Sequence, residues 1–407
     1  MEEEGDRSSP RRRPQGRVIF PDLSRPSHDL TGTAEWASLQ PDLVQSIADR
    51  LLSTNGVDEY MAMRAVCPSC RSSVAKPSPH AAVANPHFRP RQWVLLNGAD
   101  DDQGRPLFLN VTTGRFRRLR RPLLRDYILV GASDGLLVLG DRDRPHASRI
   151  LNPLTGDMLP FAASVPQERW VLTAITGNEP SIIFSFPPCD QEYHDIPAYM
   201  QGGGHVVCSA DPTGQLRAVK FHDAAFTHSL LYVRSMVTHA GNVYMLCYAG
   251  TLCKIVSTGG HWHAERIMEI GMKHGWLVES AGKLLFVKNK VETIELFCVD
   301  VNRKVLKPIQ SIGGGTLFLS FGNSMVVNAD KLPSIKRNCI YINHTDRAYA
   351  WYDLSNCKKT YITSPQVPGD GPGAENGIIH EGPFSLAKVL LTPYPKVKAQ
   401  LNWIQQV

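Results

Sequence analysis

The pattern of apolar and polar positions divides the chain at about residue 91. Before that point, apolar side chains recur every fourth residue, which is the spacing that places them on one face of an amphipathic helix. Pro41 and Asp42 suit the first turn of this helix, because proline lacks an N–H group and a carboxylate is favourable at the positive end of the helix dipole. The predicted apolar face consists of Leu39, Leu43, Ile47 and Leu51.

Turn and cap residues after this stretch predict further helices up to about residue 73. Asn55-Gly56 breaks the first helix, Asp58 can cap the second, and Pro68 ends the second. Three short helices bury little apolar surface by themselves. The sequence therefore predicts a small helical docking module that leans on a partner.

From about Arg91 onward, short apolar runs alternate with Gly, Asn, Asp and Pro, and no helical period is present. This texture is typical of β-strands joined by tight turns. Several runs share one form, a turn residue followed by a strand, at residues 134–139, 241–246, 282–287 and 338–342.

A second repeated element is a polar turn after a pair of strands. Such turns lie about 40 to 60 residues apart, close to the spacing of four-stranded propeller blades. A β-sandwich is smaller than this region, and a closed propeller hides most of its sheet edges. The sequence predicts an all-β propeller of six or seven blades. The turns are Asn110–Gly114, Asn152–Gly156, Asp211–Gly214, Ser257–Gly260, Asp300–Arg303 and Asp353–Asn356.

The helical stretch from Trp36 to about Val74 resembles an F-box, the motif that ties a substrate receptor to a Skp-type adaptor and, through it, to a cullin. It departs from the family at Gln40, where proline is usual, and at Cys70, where tryptophan is usual. The resemblance implies an adaptor-binding face made of Leu39, Pro41, Leu43, Ile47, Leu51, Val66 and Cys67.

The strand-rich region resembles the plant F-box-associated domain of unknown function 295 (DUF 295). Together the two resemblances imply a non-catalytic substrate-receptor subunit of an SCF-type cullin-RING ubiquitin ligase, which presents a protein substrate on its propeller for ubiquitination. The matching fragments are residues 133–137, 151–156, 277–285, 316–319, 337–341 and 352–354.

The expected fold class is an α+β multidomain chain, in which a small three-helix F-box precedes the propeller. The expected boundaries are a disordered basic tail at 1–33, the F-box at 34–76, a linker at 77–90 and the propeller at 91–400.

The composition restricts which cellular compartments and which partners are expected for this chain. No run of eighteen apolar residues occurs, the N-terminus lacks the apolar segment of a secretory signal, and nine scattered cysteines fit a reducing compartment. We therefore expect the cytoplasm, the nucleus or both, and no membrane partner.

Net charge is +6, and part of the excess lies in a basic run within the strand region. This run is either a solvated strand and turn or a patch for an acidic partner. Nucleic acid is not favoured as a partner, because no aromatic stacking motif accompanies the charges. The run consists of Arg115, Arg117, Arg118, Arg120, Arg121 and Arg125.

Motifs for nucleotide binding, metalloproteases and α/β-hydrolases are missing from the sequence, so no cofactor, metal or catalytic residue is expected. The Cys67 and Cys70 pair has no second pair at zinc-like spacing, which favours packing over metal binding. Two alternatives stay open. One is a propeller scaffold whose F-box has decayed, as Gln40 and Cys70 suggest. The other is an enzyme or a lectin-like propeller with a small-molecule site in its central channel.

Overall fold

A computed structural model describes most of the chain after residue 38. Trp36, the predicted tail at 1–33, Arg120 and Arg121 lie outside the described residues. The described residues are 39–54, 56–96, 105–119, 125–168, 171–177, 179–187, 205–212, 214, 216–221, 232–247, 249–271, 275–290, 293–322, 324–345, 348–363, 379–380, 386–391 and 400.

Helices come first among the described residues. Helix α1 spans Pro41–Ser53, α2 Val57–Val66, α3 Pro68–Ser73 and α4 Pro79–Ala84, and a 3-10 turn follows at Pro86–Phe88. Pro41 is the first residue of α1 and Pro68 the first residue of α3, as expected for a ring that cannot donate an N–H.

Val44 and Ala48 are the buried residues of α1, whereas Leu43 is 50% exposed. One local prediction about these helices is corrected. Asp58 does not cap α2, because Gly56 is the residue before the helix and makes no side-chain cap. Instead Asp58 is buried and forms an ion pair with Arg117.

Twenty-six described strands form six sheets, which are the blades of a β-propeller. Blade 1 contains β1 Trp93–Leu96, β2 Leu107–Asn110 and β3 Phe116–Arg118; blade 2 contains β4 Tyr127–Ser133, β5 Leu136–Asp141, β6 Ala147–Leu151 and β7 Met158–Ser164; blade 3 contains β8 Leu172–Ile175, β9 Ile182–Phe186, β10 Val206–Ala210 and β11 Arg217–Ala218.

The other three blades complete the ring. Blade 4 contains β12 Lys220–Phe221, β13 Val233–His239, β14 Asn242–Cys247, β15 Thr251–Thr258 and β16 His261–Glu269; blade 5 contains β17 Gly275–Ser280, β18 Lys283–Asn289, β19 Ile294–Asp300 and β20 Val305–Ile309; blade 6 contains β21 Gly315–Leu319, β22 Met325–Asn328, β23 Cys339–Thr345, β24 Ala348–Asp353, β25 Lys358–Thr363 and β26 Ile379–His380. Helix α5 spans Leu386–Leu391 and packs on blade 6.

Strand pairing within the blades is mostly antiparallel, with three parallel pairs. Strand β12 runs parallel to β16 at the outer edge of blade 4, and β26 runs parallel to β25 at the outer edge of blade 6. Inside blade 6, β21 pairs with β22 on one side and runs parallel to β23 on the other. The innermost strand of blade 6 is therefore β22, although β21 comes first in the sequence.

Six apolar clusters lie between neighbouring blades and fix the blade count at six for the described strands. Strand β14 shows how the alternation of side chains produces this arrangement. Val243 and Met245 pack towards blade 3, whereas Tyr244 and Leu246, on the opposite face, pack towards blade 5. The prediction of six or seven blades is thereby narrowed to six.

Blades 1 and 6 meet without a shared sheet. The backbone N–H of Asn328 donates to the Val111 carbonyl oxygen at 2.7 Å, and the Asn328 side-chain amide donates to the Thr112 carbonyl oxygen at 3.2 Å. Buried Leu109 and Phe318 belong to the apolar cluster at this junction. Packing and these hydrogen bonds close the ring.

The predicted polar turns all occur, one in each blade, between strands β2–β3, β6–β7, β10–β11, β15–β16, β19–β20 and β24–β25. In four of them the first residue's side-chain oxygen accepts a backbone N–H two or three residues later, which is the turn-forming hydrogen bond of Asn and Asp. These four residues are Asn110, Asn152, Asp300 and Asp353.

Asn152 also joins blade 2 to the helices. It is fully buried, and its amide nitrogen donates to the carbonyl oxygens of Ala82 and Phe88, each at 2.8 Å. Its oxygen accepts the N–H of Leu154 at 3.0 Å. One side chain thus forms hydrogen bonds with backbone groups of the polar turn, of α4 and of the 3-10 turn.

We expect Asn152→Asp to lower the free energy of unfolding by about 3 kcal/mol, because a carboxylate would face two carbonyl oxygens in a buried site. Urea unfolding of the full chain measures the change. Asn110→Asp is the matched control, since the described side-chain hydrogen bonds of Asn110 are accepted by its oxygen and an aspartate retains that acceptor. Equal destabilisation by both variants would contradict the prediction.

The segment expected as a linker, residues 77–90, is packed against the propeller. Ala82, Val83 and Phe88 are buried in it. Gly135, in the β4–β5 turn, has a φ of +80° and lies so close to this segment that a Cβ there would be 2.1 Å from the Pro90 carbonyl oxygen. Only glycine suits both the conformation and the contact.

His205, directly before β10, is a buried titratable group of blade 3. Its Nδ1 lies 3.2 Å from the Ser185 hydroxyl, and its ring centroid lies 4.3 Å from that of Tyr232. Burial lowers the pKa of His205 to about 4. The folded protein therefore keeps this imidazole neutral where an unfolded chain protonates it.

Lowering the pH from about 6.5 to about 4 is expected to cost about 3 kcal/mol of stability through His205. The unfolded chain gains a proton there across this window and the folded chain does not, so acid favours unfolding. Urea unfolding of the wild type and His205→Gln across the window isolates the effect, because His239, whose pKa is also lowered by burial, stays in both proteins. A pH-independent difference between the two would contradict it.

Candidate partner-binding surface

The helical module, defined as helices α1 to α3, packs its inner side on blades 1 and 2. Val44, Ala48 and Cys70 share one apolar cluster with Trp93 and Phe108 of the propeller. Tyr60 lies in the same cluster, and its ring meets Phe88 edge to face at a centroid distance of 5.4 Å. The Tyr60 hydroxyl donates to the Ala75 carbonyl oxygen at 2.6 Å, and burial raises the pKa of Tyr60.

Charges reinforce this contact. Arg115 Nη1 lies 3.0 Å from Glu59 Oε1 and 3.5 Å from Asp58 Oδ2, and Arg117 pairs with Asp58. Part of the basic run therefore has an acidic partner within the same chain, namely the first turn of α2. Arg118, further along the run, donates to the Arg105 carbonyl oxygen at 3.2 Å.

None of the seven residues predicted to bind an adaptor is fully buried, but they differ in exposure. Leu43 is 50% and Val66 64% exposed, and Pro41 is exposed. Among the described residues, the other large apolar side chains that are strongly exposed are Tyr232, Val305 and Tyr361 on the propeller. The remaining four predicted residues, Leu39, Ile47, Leu51 and Cys67, are partly buried against the propeller-facing cluster.

Cys67 and Cys70 bracket the start of α3. Their sulfur atoms lie 3.3 Å apart, and Cys67 Sγ accepts the backbone N–H of Cys70 at 3.3 Å. Cys67 is partly exposed and Cys70 is 2% exposed. The N–H of Cys70 and then the Cys70 thiol lower the pKa of Cys67, whereas hydrogen bonding to Cys67 and burial raise the pKa of Cys70.

A central cavity of about 970 Å³ forms a second candidate site, and the inner strand of every blade lines it. Arg91, Asp134 and Glu279 bring charges into it. Asp134 is held by Arg91 Nε at 2.8 Å and by buried Arg89 Nη1 at 3.0 Å. Burial raises the pKa of Glu279, which accepts the Gly282 N–H at 2.9 Å.

Sequence reasoning missed these cavity acids. The signal was present, because Asp134-Gly135 begins one of the repeated turn-then-strand units and Gly282, preceded by Ala281, begins another. Both turns have positive φ at two successive residues and join the inner strand of a blade to the next strand. The residues of both turns, together with Glu279, line the cavity.

The described residues contain no group of three metal-ligating side chains, and none of the described helices is long and apolar enough to cross a membrane.

Residues 108–365 match the KIB1-4 beta-propeller family. The chain belongs to this family. The KIB1-4 match begins within β2 and ends just after β25, so it covers blades 2 to 5, most of blade 6 and part of blade 1, and it does not include the helical module.

Other comparisons add little to the KIB1-4 match. A solved structure of the dihydro-heme d1 dehydrogenase NirN in complex with DHE is similar at 16% identity and a TM-score of 0.34, over 71% of this chain and 55% of that chain. The region of this chain that aligns thus spans about half the length of that protein. No curated protein is significantly similar.

Proposed function

We propose that the protein is a substrate-receptor subunit of an SCF-type cullin-RING ubiquitin ligase. Its helical module would act as an F-box that docks to a Skp-type adaptor. Its propeller would be of the type found in the plant F-box-associated domain DUF 295. The observation that carries the proposal is the exposure of Leu43 and Val66 on a module whose other side is packed on the propeller.

The two faces of the module have different roles in this proposal. Val44, Ala48 and Cys70 hold the module on blades 1 and 2, which fixes its orientation. Leu43 and Val66 are exposed to water. Moving such apolar side chains from water into an apolar groove on a partner lowers the free energy and so favours binding. A Skp-type adaptor is the partner that the order of these residues favours.

The propeller would bind the protein substrate without catalysing a reaction. Holding a substrate beside the ubiquitin-transferring enzyme raises its effective concentration there, which requires no catalytic residue in this chain. The site of action would be the cytoplasm, the nucleus or both.

The alternative is a non-catalytic scaffold whose F-box does not enter a ligase. Gln40 and Cys70 favour it, because they stand where the F-box family usually has proline and tryptophan. Cys70 is already enclosed at 2% exposure, so the site is built for a small side chain, and a larger one would have to displace its neighbours.

Co-purification with a cullin distinguishes the two. The full chain is mixed with a purified cullin in the presence and absence of a Skp-type adaptor. A substrate receptor retains the cullin only when the adaptor is present. A folded chain that retains neither protein is a scaffold.

A further inference from the structure

We propose that Cys67 and Cys70 form a thiol–disulfide exchange site that reacts with low-molecular-weight disulfides such as oxidised glutathione. The inference concerns the chemistry of the helical module itself and does not depend on adaptor binding.

The geometry of the two sulfur atoms carries the inference. They lie 3.3 Å apart, and an S–S bond is about 2.05 Å long, so the atoms need to approach by little more than about 1 Å. In addition, the Cys70 N–H points at Cys67 Sγ and stabilises negative charge on that atom. The pair is arranged before any oxidant arrives.

Thiol–disulfide exchange requires that the thiol attacking the external disulfide be accessible to solvent, and the two thiols differ in this respect. Cys67 is partly exposed and can be reached from solvent, whereas Cys70 is 2% exposed behind it. Among the described cysteines with a shifted pKa, Cys67 is the one whose pKa is lowered; burial raises the pKa of Cys208 to about 12 and that of Cys339 to about 11. Cys67 is therefore the attacking sulfur and Cys70 the resolving sulfur.

The reaction balances with one oxidant molecule. Cys67 loses its proton, and its thiolate attacks one sulfur of oxidised glutathione. A mixed disulfide forms, the sulfur–sulfur bond of glutathione breaks, and the first glutathione thiolate leaves and takes up a proton in place of the one that Cys67 lost. Cys70 then loses its proton and attacks the Cys67 sulfur, which forms the Cys67–Cys70 disulfide and releases the second glutathione thiolate; that thiolate takes up the proton. Two protein thiols lose two electrons and one disulfide becomes two thiols.

Trapping experiments on the full chain test the site. Wild type, Cys67→Ser and Cys70→Ser are incubated with oxidised glutathione at pH 7, quenched with acid, alkylated and mapped by mass spectrometry. We expect a Cys67–Cys70 disulfide in the wild type, a stable glutathione adduct on Cys67 in Cys70→Ser, and no reaction at Cys70 in Cys67→Ser. Cys357, exposed and distant in sequence, is the internal reference, and Cys67 should react at least about 10-fold faster.

Two results would overturn the inference. One is a wild-type pair that stays reduced under conditions that modify Cys357 completely. The other is a Cys70→Ser protein that carries no glutathione on Cys67. The wild-type measurement alone decides the question if a serine variant does not fold.

Discussion

Replacing both Leu43 and Val66 with aspartate is expected to lower the affinity of the full chain for a Skp-type adaptor by about 100-fold or more, which is about 2.7 kcal/mol. Both side chains are at least half exposed, so the substitutions should leave the fold intact. In an apolar groove, however, each carboxylate would lose its water without gaining a partner. Titration calorimetry with the purified adaptor measures the loss.

The propeller offers a matched control. Val305 and Tyr361 are 40% and 41% exposed, similar to Leu43, and lie on strand β20 of blade 5 and strand β25 of blade 6. Val305→Asp with Tyr361→Asp changes charge and apolar area by comparable amounts and should leave adaptor affinity unchanged. Ile47→Asp is a poorer test than Val66→Asp, because Ile47 is partly buried against the propeller-facing cluster and its replacement would also weaken the fold. Equal loss in both pairs of variants would refute the assignment of the surface.

Replacing Arg89 with methionine is expected to lower the free energy of unfolding by about 3–5 kcal/mol, which for many domains abolishes the folded state. Arg89 is 0% exposed. Its guanidinium donates to the Val83 carbonyl oxygen at 2.9 Å and to the carbonyl oxygens of Thr176 and Gly177 at 2.6 and 2.7 Å, and it pairs with Asp134. One side chain thus joins α4 to blades 2 and 3, and its loss leaves buried acceptors without donors.

Arg91→Met is the matched control for Arg89→Met. Arg91 also pairs with Asp134, but its side chain is 33% exposed, so water can replace it and a loss of about 1 kcal/mol or less is expected. Arg89→Lys separates the effect of charge from that of shape. Lysine keeps the charge, but its single nitrogen cannot replace the three guanidinium nitrogens, which contact Val83, Asp134 and Thr176. Urea unfolding of all three variants provides the measurement. Similar stability of Arg89→Met and Arg91→Met would show that the buried network is unimportant.

The parts of the fold that sequence predicted are those that local rules govern. Pro41 begins a helix because its missing N–H costs no hydrogen bond there, and the second helix ends at Val66, just before Pro68. Polar turns at residues such as Asn110 and Asn152 carry their own side-chain hydrogen bonds. Each blade contains one such turn, so the six predicted turns correspond to the six blades. Loop lengths between the turns vary, and this variation is why seven blades stayed possible.

The parts that sequence did not predict depend on long-range contacts. Nothing near Arg89 in the sequence indicates that Thr176 and Gly177 will surround it, because they are almost ninety residues away. Likewise, the four-residue spacing of Leu39, Leu43, Ile47 and Leu51 identified an apolar stripe. It did not show that Val44 and Ala48 would meet the propeller, or that Ile47 and Leu51 would pack against the same cluster. An apolar stripe has the same appearance whether its partner is internal or a second protein.

The basic run shows the same ambiguity. Arg115 and Arg117 were expected either to be solvated or to bind an acidic partner, and the structure places the acidic partner, Asp58 and Glu59, within the chain. Charge patterns indicate that a partner of opposite sign is favourable and do not indicate which chain supplies it.

Hydrogen–deuterium exchange of the full chain with and without a Skp-type adaptor shows where the adaptor binds and so tests docking through the helical module. Such docking predicts slower exchange in α1 and α2 around Leu43 and Val66, and unchanged exchange in the strands of all six blades. Protection of blade strands with no change in α1 and α2, or no protection anywhere at saturating adaptor, would contradict it.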